Sequence, residues 1–422
     1  MATLPSIVAQ QMPAPYVLIQ RRGFGQREPA QIPLRIAPES LAFTVLLGVL
    51  AALPAVSIDI SAPTLPLIPM ALGTTTTVAS LTLSLFMAGF AVGQLGGGRL
   101  SDQRGRRPIL LSGLACFTIT GIACALAPSG LLLVLARFAQ GIGAGACSVL
   151  SFAMVQDLFE GDVARAKRSY VTVVFGIVPM LAPAAGSFLT DLAGWRAVHG
   201  VLALAGGLLL LITIAGVAES RPVGTGATAT VRPMRLRDDP GFVGITLANA
   251  LSYGGIFAYI AGSPIVIIGE MNLPSVAFAV IFAGTAAALT AGAWTNGRLS
   301  RRGVAAAALL GPSLSVAAAA GIALAAATMA GLTSGAVLVP LLLIAMFARG
   351  MIAPNLQHLA IERQAEQAGA ASAAVGVSQL LSGALASAAV GLLLPGYGAA
   401  AVAVPMALLA AAALVAWRWS GA

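Results

Sequence analysis

The stretch Gly98-Arg-Leu-Ser-Asp-Gln-Arg-Gly-Arg-Arg107 decides how this chain is read. It carries five charges in ten residues and stands between two long apolar segments, in a chain where only 9% of residues are charged. A polar knot pinned between membrane spans reads as a short cytoplasmic loop. An abbreviated form, Gly297-Arg-Leu-Ser-Arg-Arg-Gly303, returns 199 residues later. The echo indicates two related halves, and related halves in a membrane point to a transporter.

Composition agrees. Of 422 residues 58% are hydrophobic, whereas a soluble protein carries about 25% charged residues. The net charge of +9 does not mark a nucleic-acid binder, because the basic residues are confined to short loops and no aromatic-interleaved basic patch exists. Cys116, Cys124 and Cys147 lie inside apolar segments, with neither metal-ligand nor disulfide spacing. They read as packing residues, and neither a metal nor a cofactor is expected. Two histidines, no H-E-x-x-H, no nucleophile elbow and no clustered carboxylates argue against an enzyme. The lack of any sizeable soluble domain argues against a receptor. Residues 1–40, rich in Pro, Gln and Arg, lack the apolar core of a secretory signal. They read as a disordered cytoplasmic arm, or in part as an over-long gene start.

Twelve apolar segments can be drawn, at 41–62, 76–97, 108–127, 131–155, 168–190, 196–217, 241–267, 275–296, 304–329, 334–357, 368–393 and 396–418. In lipid they have to be helices, since only a helix or a closed barrel satisfies its own backbone there. With the N-terminus inside, twenty basic residues fall on the cytoplasmic side and Arg196 alone outside, while Arg137 and Arg349 lie within helices. That bias orients the chain, with both termini cytoplasmic in a cell inner membrane. The longest internal hydrophilic break, 219–240, divides six helices from six. The expected fold is an all-α membrane protein of twelve transmembrane helices in two pseudo-symmetric six-helix halves, 41–218 and 241–418.

Several motifs then carry a specific resemblance. Gly98-x-Leu-Ser-Asp102-x-x-Gly105-Arg106-Arg107 resembles the signature between the second and third helices of the major facilitator superfamily. Arg137-Phe-Ala-Gln140-Gly141-Ile-Gly143-Ala144 resembles that of the fourth helix. Pro179-x-x-Ala-Pro183-x-x-Gly186, followed by Gly194-Trp195-Arg196, is similar to the antiporter signature of the fifth, in its drug-efflux form with Val178 in place of the first glycine. Ser57-Ile58-Asp59 with Pro63 and Pro66, Ser263-Pro264, Asn296-Gly297-Arg298 and Pro354-Asn355 followed by Glu362 resemble Bcr/CflA-type drug:proton antiporters. The resemblance spans residues 41–418. It implies export of small amphipathic compounds in exchange for protons by a monomer in the bilayer. It also implies that the fifth-helix prolines form a barrier to proton leak. A specific metabolite exporter and a proton-independent facilitator stay open.

Asp59 is the one acid placed well inside a span. An embedded acid costs about 2.5–3.5 kcal/mol on insertion scales and is a functional candidate by default. The other reading is a helix-end acid solvated by headgroups. Arg137 is its natural partner, because a buried arginine needs an acid or carbonyls and both residues fall in the outer half of the membrane. The alternative is that Arg137 caps backbone carbonyls. Around Gly98–Arg107, the two glycines allow tight turns and Asp102 is positioned to accept from amides at a nearby helix start. That favours a conformational latch over a generic basic loop. Gly89, Gly93 and Gly97, with Gly141 and Gly145, permit close helix contact, as a gliding surface or as static packing. Pro179 and Pro183 should bend their helix. Substrate contacts are expected near the midplane from Phe86, Phe90, Phe175, Met180, Tyr253, Phe257, Tyr259 and Phe282, each of which also fits ordinary core or lipid contact. Arg349 reads as snorkelling to the interface. His199 and His358 sit near helix ends and receive no role.

Overall fold

A backbone in lipid must bond to itself, and the described residues answer with helices and no strand. The computed structural model describes residues 36–221, 239–364 and 367–421, with the side chains at 165, 172–180 and 368 outside that description. The expected arm and linker fall mostly outside it. In chain order the helices are α1 (Leu41–Asp59), a 3-10 turn (Ala62–Thr64), α2 (Ile68–Leu72), α3 (Thr76–Arg104), α4 (Arg106–Ala125), α5 (Gly130–Leu158) and α6 (Gly161–Gly216). Then come α7 (Pro240–Pro264), a π-helical turn (Ile265–Glu270), α8 (Ser275–Arg301), α9 (Ala306–Met329), α10 (Gly335–Arg363), α11 (Ala368–Tyr397) and α12 (Ala400–Trp419). Side-chain caps start several of them: Ser40, Thr75 and Ser129 accept the amides of Phe43, Val78 and Leu132.

Among the described residues eleven helices are long and apolar enough to cross a membrane. The twelfth span is hidden in α6. A straight helix of its 56 residues would run ~84 Å, far more than the ~30 Å hydrocarbon core. Instead Gly194 leaves helical geometry at φ 77° and ψ 174°. Lys167, near the start of α6, donates to the carbonyls of Glu39 and Ser40, while Gly216 at its end packs on Ile36. Both ends therefore lie at the same end of the molecule, and α6 is a hairpin of two spans. The expected proline bend does not interrupt it: the backbone departs from helix only at Gly194.

The glycine-rich faces bring helices into backbone contact. A methyl group on Gly89 would collide with the carbonyl of Phe138, and one on Gly93 with that of Ile142. Gly141 and Gly145 of α5 press in turn on the carbonyls of Phe86 and Phe90 of α3. The second half repeats the clasp. Gly292 of α8 lies on the carbonyl of Phe347, and Gly350 of α10 on that of Leu289. Small residues are what allow such approach in lipid, where no hydrophobic force drives helices together.

The halves meet along two seams. Ser84 of α3 bonds Ser387 of α11 at 2.9 Å, and Gly391 and Gly383 of α11 lie on Ser80 and Met87. On the other side Ser187 and Asp191 of α6 bond Ser275 of α8. These contacts lie toward the arginine-poor end. Gly376 is on the same stripe of α11 two turns nearer the arginine-rich end, and nothing comes within 4 Å of where its side chain would be. The α3–α11 seam is therefore shut around Ser80, Ser84 and Met87, and leaves open space at Gly376.

At the arginine-rich end of the second half, Asp239 caps α7 through the amides of Gly241 and Phe242 and pairs with Arg363 of α10 at 2.8 Å. The guanidinium holds its carboxyl below the ordinary value of 3.8. A depressed carboxyl contributes stability in full above its unfolded pKa and loses it as pH falls through the folded one. Asp239→Asn is therefore expected to melt below the parent at neutral pH and to converge with it in strong acid, as read by thermal unfolding in detergent. A constant gap across pH would count against this.

Candidate functional site

Helix α1 ends inside the membrane. After Asp59 the chain passes through Ile60 and Ser61 into the 3-10 turn, and every residue from Ser57 to Leu65 is buried. Asp59 itself is 5% exposed, so it is covered by protein and not by headgroups. Gly186 of α6 packs directly on the backbone of Ile60, which leaves no room for a side chain. The glycine of the fifth-span motif thus seals the break beside Asp59. Pro183 is buried on the same helix, while the side chains of Pro179, Phe175 and Met180 lie outside the described residues.

The expected pairing of Asp59 with Arg137 is not what the structure holds. Arg137 is completely buried and donates to the carbonyl of Ser57 and the hydroxyl of Ser61, both at 3.2 Å, and to Gln140 at 2.9 Å. Helix geometry gives the reason. Successive residues turn by ~100°, so Ser57 and Ser61 share one stripe of the chain and Asp59 faces the opposite way. Asp59 therefore stands on the face of the break away from the Arg137 contacts. Arg137 thus braces the break from behind, as a carbonyl cap.

Phe86 is corrected by the same contact. Its ring lies 4.2 Å beneath the Arg137 guanidinium with no exposure, so it is packing and not a substrate wall. Phe90 belongs to the α3–α5 clasp through its backbone. Tyr253 stacks on Phe257 at 5.0 Å, and Phe257 reaches Gly383 at the seam. Tyr259 and Phe282 stack at 5.9 Å inside the second half. An apolar cavity of about 80 Å³ between α7, α9, α10 and α12 takes Tyr259 as its single contributor from the expected aromatic set.

The arginine-rich knot is not a loop. Gly98 to Arg104 are the last turns of α3, and α4 begins at Arg106. Only Gly105 turns the chain, at φ 100°, and Gly98 makes no turn. Asp102 does not cap α4. Glu219 does, accepting the amides of Arg106 at 2.7 Å and Arg107 at 3.1 Å, while Pro108 has no amide to satisfy. Asp102 instead holds the Arg106 guanidinium at 2.5 Å, and that group also binds Asp157 of α5 at 2.8 Å. Arg107 donates to the carbonyls of Ile214 and Val217 at the end of α6. The carboxylate of Glu219 sits at the positive end of α4, so Glu219→Ala is expected to cost about 1 kcal/mol in unfolding free energy. An unchanged unfolding midpoint would remove its capping role.

Comparison with known proteins fits this geometry. The sequence profile of the Major Facilitator Superfamily matches residues 46–387.

The chain belongs to the major facilitator superfamily.

It is 33% identical to the MFS-type transporter YdgK of Bacillus subtilis, over 84% of this chain and 89% of that one. It is 30% identical to the multidrug resistance protein MdtL of Escherichia coli O157:H7 over 54% of this chain and 59% of MdtL. A chloramphenicol resistance protein of Pseudomonas aeruginosa is 31% identical over 62% of each chain. The fold matches a bacterial homolog of the lysosomal transporter Spinster (TM-score 0.74, 16% identity, 92% of this chain and 97% of that one). It also matches a D-xylose-proton symporter (TM-score 0.72, 18% identity, 90% and 98%). This member of the superfamily is a multi-pass membrane transporter and not an enzyme.

Within that architecture two residues escaped the sequence reading. Arg349 does not snorkel: it is 2% exposed and donates to the carbonyls of Ser252 on α7 at 3.0 Å and Met406 on α12 at 3.4 Å. Ala136-Arg-Phe-Ala-Gln-Gly141 set against Ala345-Met-Phe-Ala-Arg-Gly350 was the available signal, with Arg349 in the place of Gln140. His199 is also buried, at 2% exposure, with Trp195 edge-on to its ring.

Proposed function

We propose that this transporter exports small amphipathic compounds across a bacterial cytoplasmic membrane in exchange for protons, with both chain ends in the cytoplasm. The observation that carries the reading is Asp59. Among the described residues it is the one acid buried within a span away from the arginine-rich end, and it stands at a helix break, on the face away from the Arg137 contacts. Broken helices are where coupling ions bind in transporters. A carboxyl there can be loaded from one side and unloaded to the other as the seam alternates. The resistance relatives MdtL and the chloramphenicol protein support the cargo class.

The halves 41–218 and 241–418 are the two bodies that rock. Tyr253, Phe257 and Tyr259 are the substrate contacts retained from the aromatic set: Tyr253 packs on Phe257, which reaches the seam at Gly383, and Tyr259 lines the apolar cavity. Gly186, packed on the break, keeps protons from leaking past it. Asp102 lies on the same stripe of α3 as Ser80, Ser84 and Met87, which touch α11 at the far end. When the arginine-rich ends close, this stripe carries Asp102 to the start of α11, and Arg106 with Asp157 keeps it oriented. In this way the knot acts as a latch.

The test is a proton gradient imposed on proteoliposomes that hold a pH-sensitive dye, with a panel of drugs added. Drug-triggered proton release is the expected result. Drug movement without protons would make the protein a facilitator, and no response to any drug would point to a specific metabolite.

A further inference from the structure

The α6–α8 seam contains a charged contact that the scheme above does not use. Asp191, near the turn of the α6 hairpin, accepts the hydroxyl of Ser275 at 2.5 Å, and Ser187 one helical turn earlier donates to the carbonyl of Ser275 at 3.2 Å. Ser275 is the first residue of α8, and the residue before it, Pro274, offers that helix no side-chain cap. The negative charge at the start of α8 is supplied by the other half of the molecule. Unsatisfied amides and the helix dipole both favour an anion there.

Two further charged groups are described at this end, and each serves its own half. Arg196 lies over Trp195 and donates to the carbonyl of Ala127. Glu270 sits with its carboxylate against Gly398 of its own half. Asp191 is the one of the three whose hydrogen bond crosses between halves.

We propose that Asp191 is the positioning residue that holds the outer ends of the two halves together, so that outward opening requires its carboxylate to leave Ser275. The proposal rests on the alternating-access reading and is independent of what is carried. It assigns the closing of the outer end to a side chain distinct from Asp59, which carries the proton, and from Asp102, which latches the inner end.

The test reads both ends at once. Ser84→Cys reports the outer α3–α11 seam and Gly376→Cys reports the inner one, each labelled by a membrane-impermeant maleimide in vesicles of the matching orientation. The chain without the added cysteine corrects for Cys116, Cys124 and Cys147. Asn can still accept the Ser275 hydroxyl, so the variant loses the difference between a charge-assisted and a neutral hydrogen bond, which should shift the equilibrium about three- to tenfold. Asp191→Asn is expected to speed labelling at Ser84→Cys and slow it at Gly376→Cys by about that factor, and Asp191→Glu to restore the parent rates. Parent rates at both sites in the Asn variant would overturn the proposal. Faster labelling at both sites would also overturn it, since that marks loosening of the fold and not a change of state. If Ser84→Cys labels under no condition in the parent or either variant, the seam never opens outward, and the alternating-access reading falls together with the latch.

Discussion

Replacing Asp59 by Asn is expected to reduce drug-triggered proton release from liposomes to that of protein-free vesicles. The amide is close in shape but cannot give up a proton, so the variant should still fold and still admit substrate. Stability has a definite sign as well. An acid held in a membrane helix costs about 2.5–3.5 kcal/mol on insertion scales. Asp59 is covered by protein and has the Arg137 guanidinium turned away from it toward Ser57 and Ser61. Losing the charge should therefore leave the melting temperature unchanged or raise it. Full proton-coupled transport by the variant would end the carrier role. A melting temperature well below the parent's would mean that Asp59 is held by a stabilising contact, and the coupling argument would lose its physical basis.

The second large effect concerns the clasp. Gly89→Val and Gly292→Val each drive a branched side chain into a carbonyl oxygen of the facing helix, Phe138 and Phe347 respectively. A flexible neighbour can yield, but a backbone cannot move without its whole helix. Overpacking of ordinary cores costs about 1–3 kcal/mol, and a backbone contact should exceed that. Both variants are expected to be lost from the membrane fraction or to melt far below the parent. Gly96→Val, on the same helix as Gly89 but with nothing within 4 Å, should be tolerated. Equal tolerance of all three would mean that the α3–α5 and α8–α10 contacts are looser than described.

The two predictions draw on different kinds of legibility. The glycine spacing at 89, 93 and 97 was readable from the chain because close helix approach in lipid demands small residues at a helical period. Asp59 was conspicuous because a charge in an apolar run is costly. Its direction was not readable, since one residue along a helix changes the facing by ~100° and the sequence does not say which face is the seam. The Arg137 pairing failed for that reason, and the carbonyl-capping alternative prevailed. Phe86 was misplaced similarly, because an aromatic beneath a buried guanidinium looks in sequence like an aromatic beside a cavity.

The chain by itself determined the membrane class, the twelve-helix fold and the family motifs. All of these follow from local composition, because the bilayer forces each apolar run of sufficient length into a helix. Tertiary structure alone decided which polar groups meet. Glu219 caps a helix that begins more than a hundred residues earlier, Arg349 reaches carbonyls on α7 and α12, and Asp191 serves a helix of the other half. A buried donor takes whatever acceptor the packing brings within ~3 Å, and that choice depends on helix rotation and depth, which hydrophobic patterning leaves free.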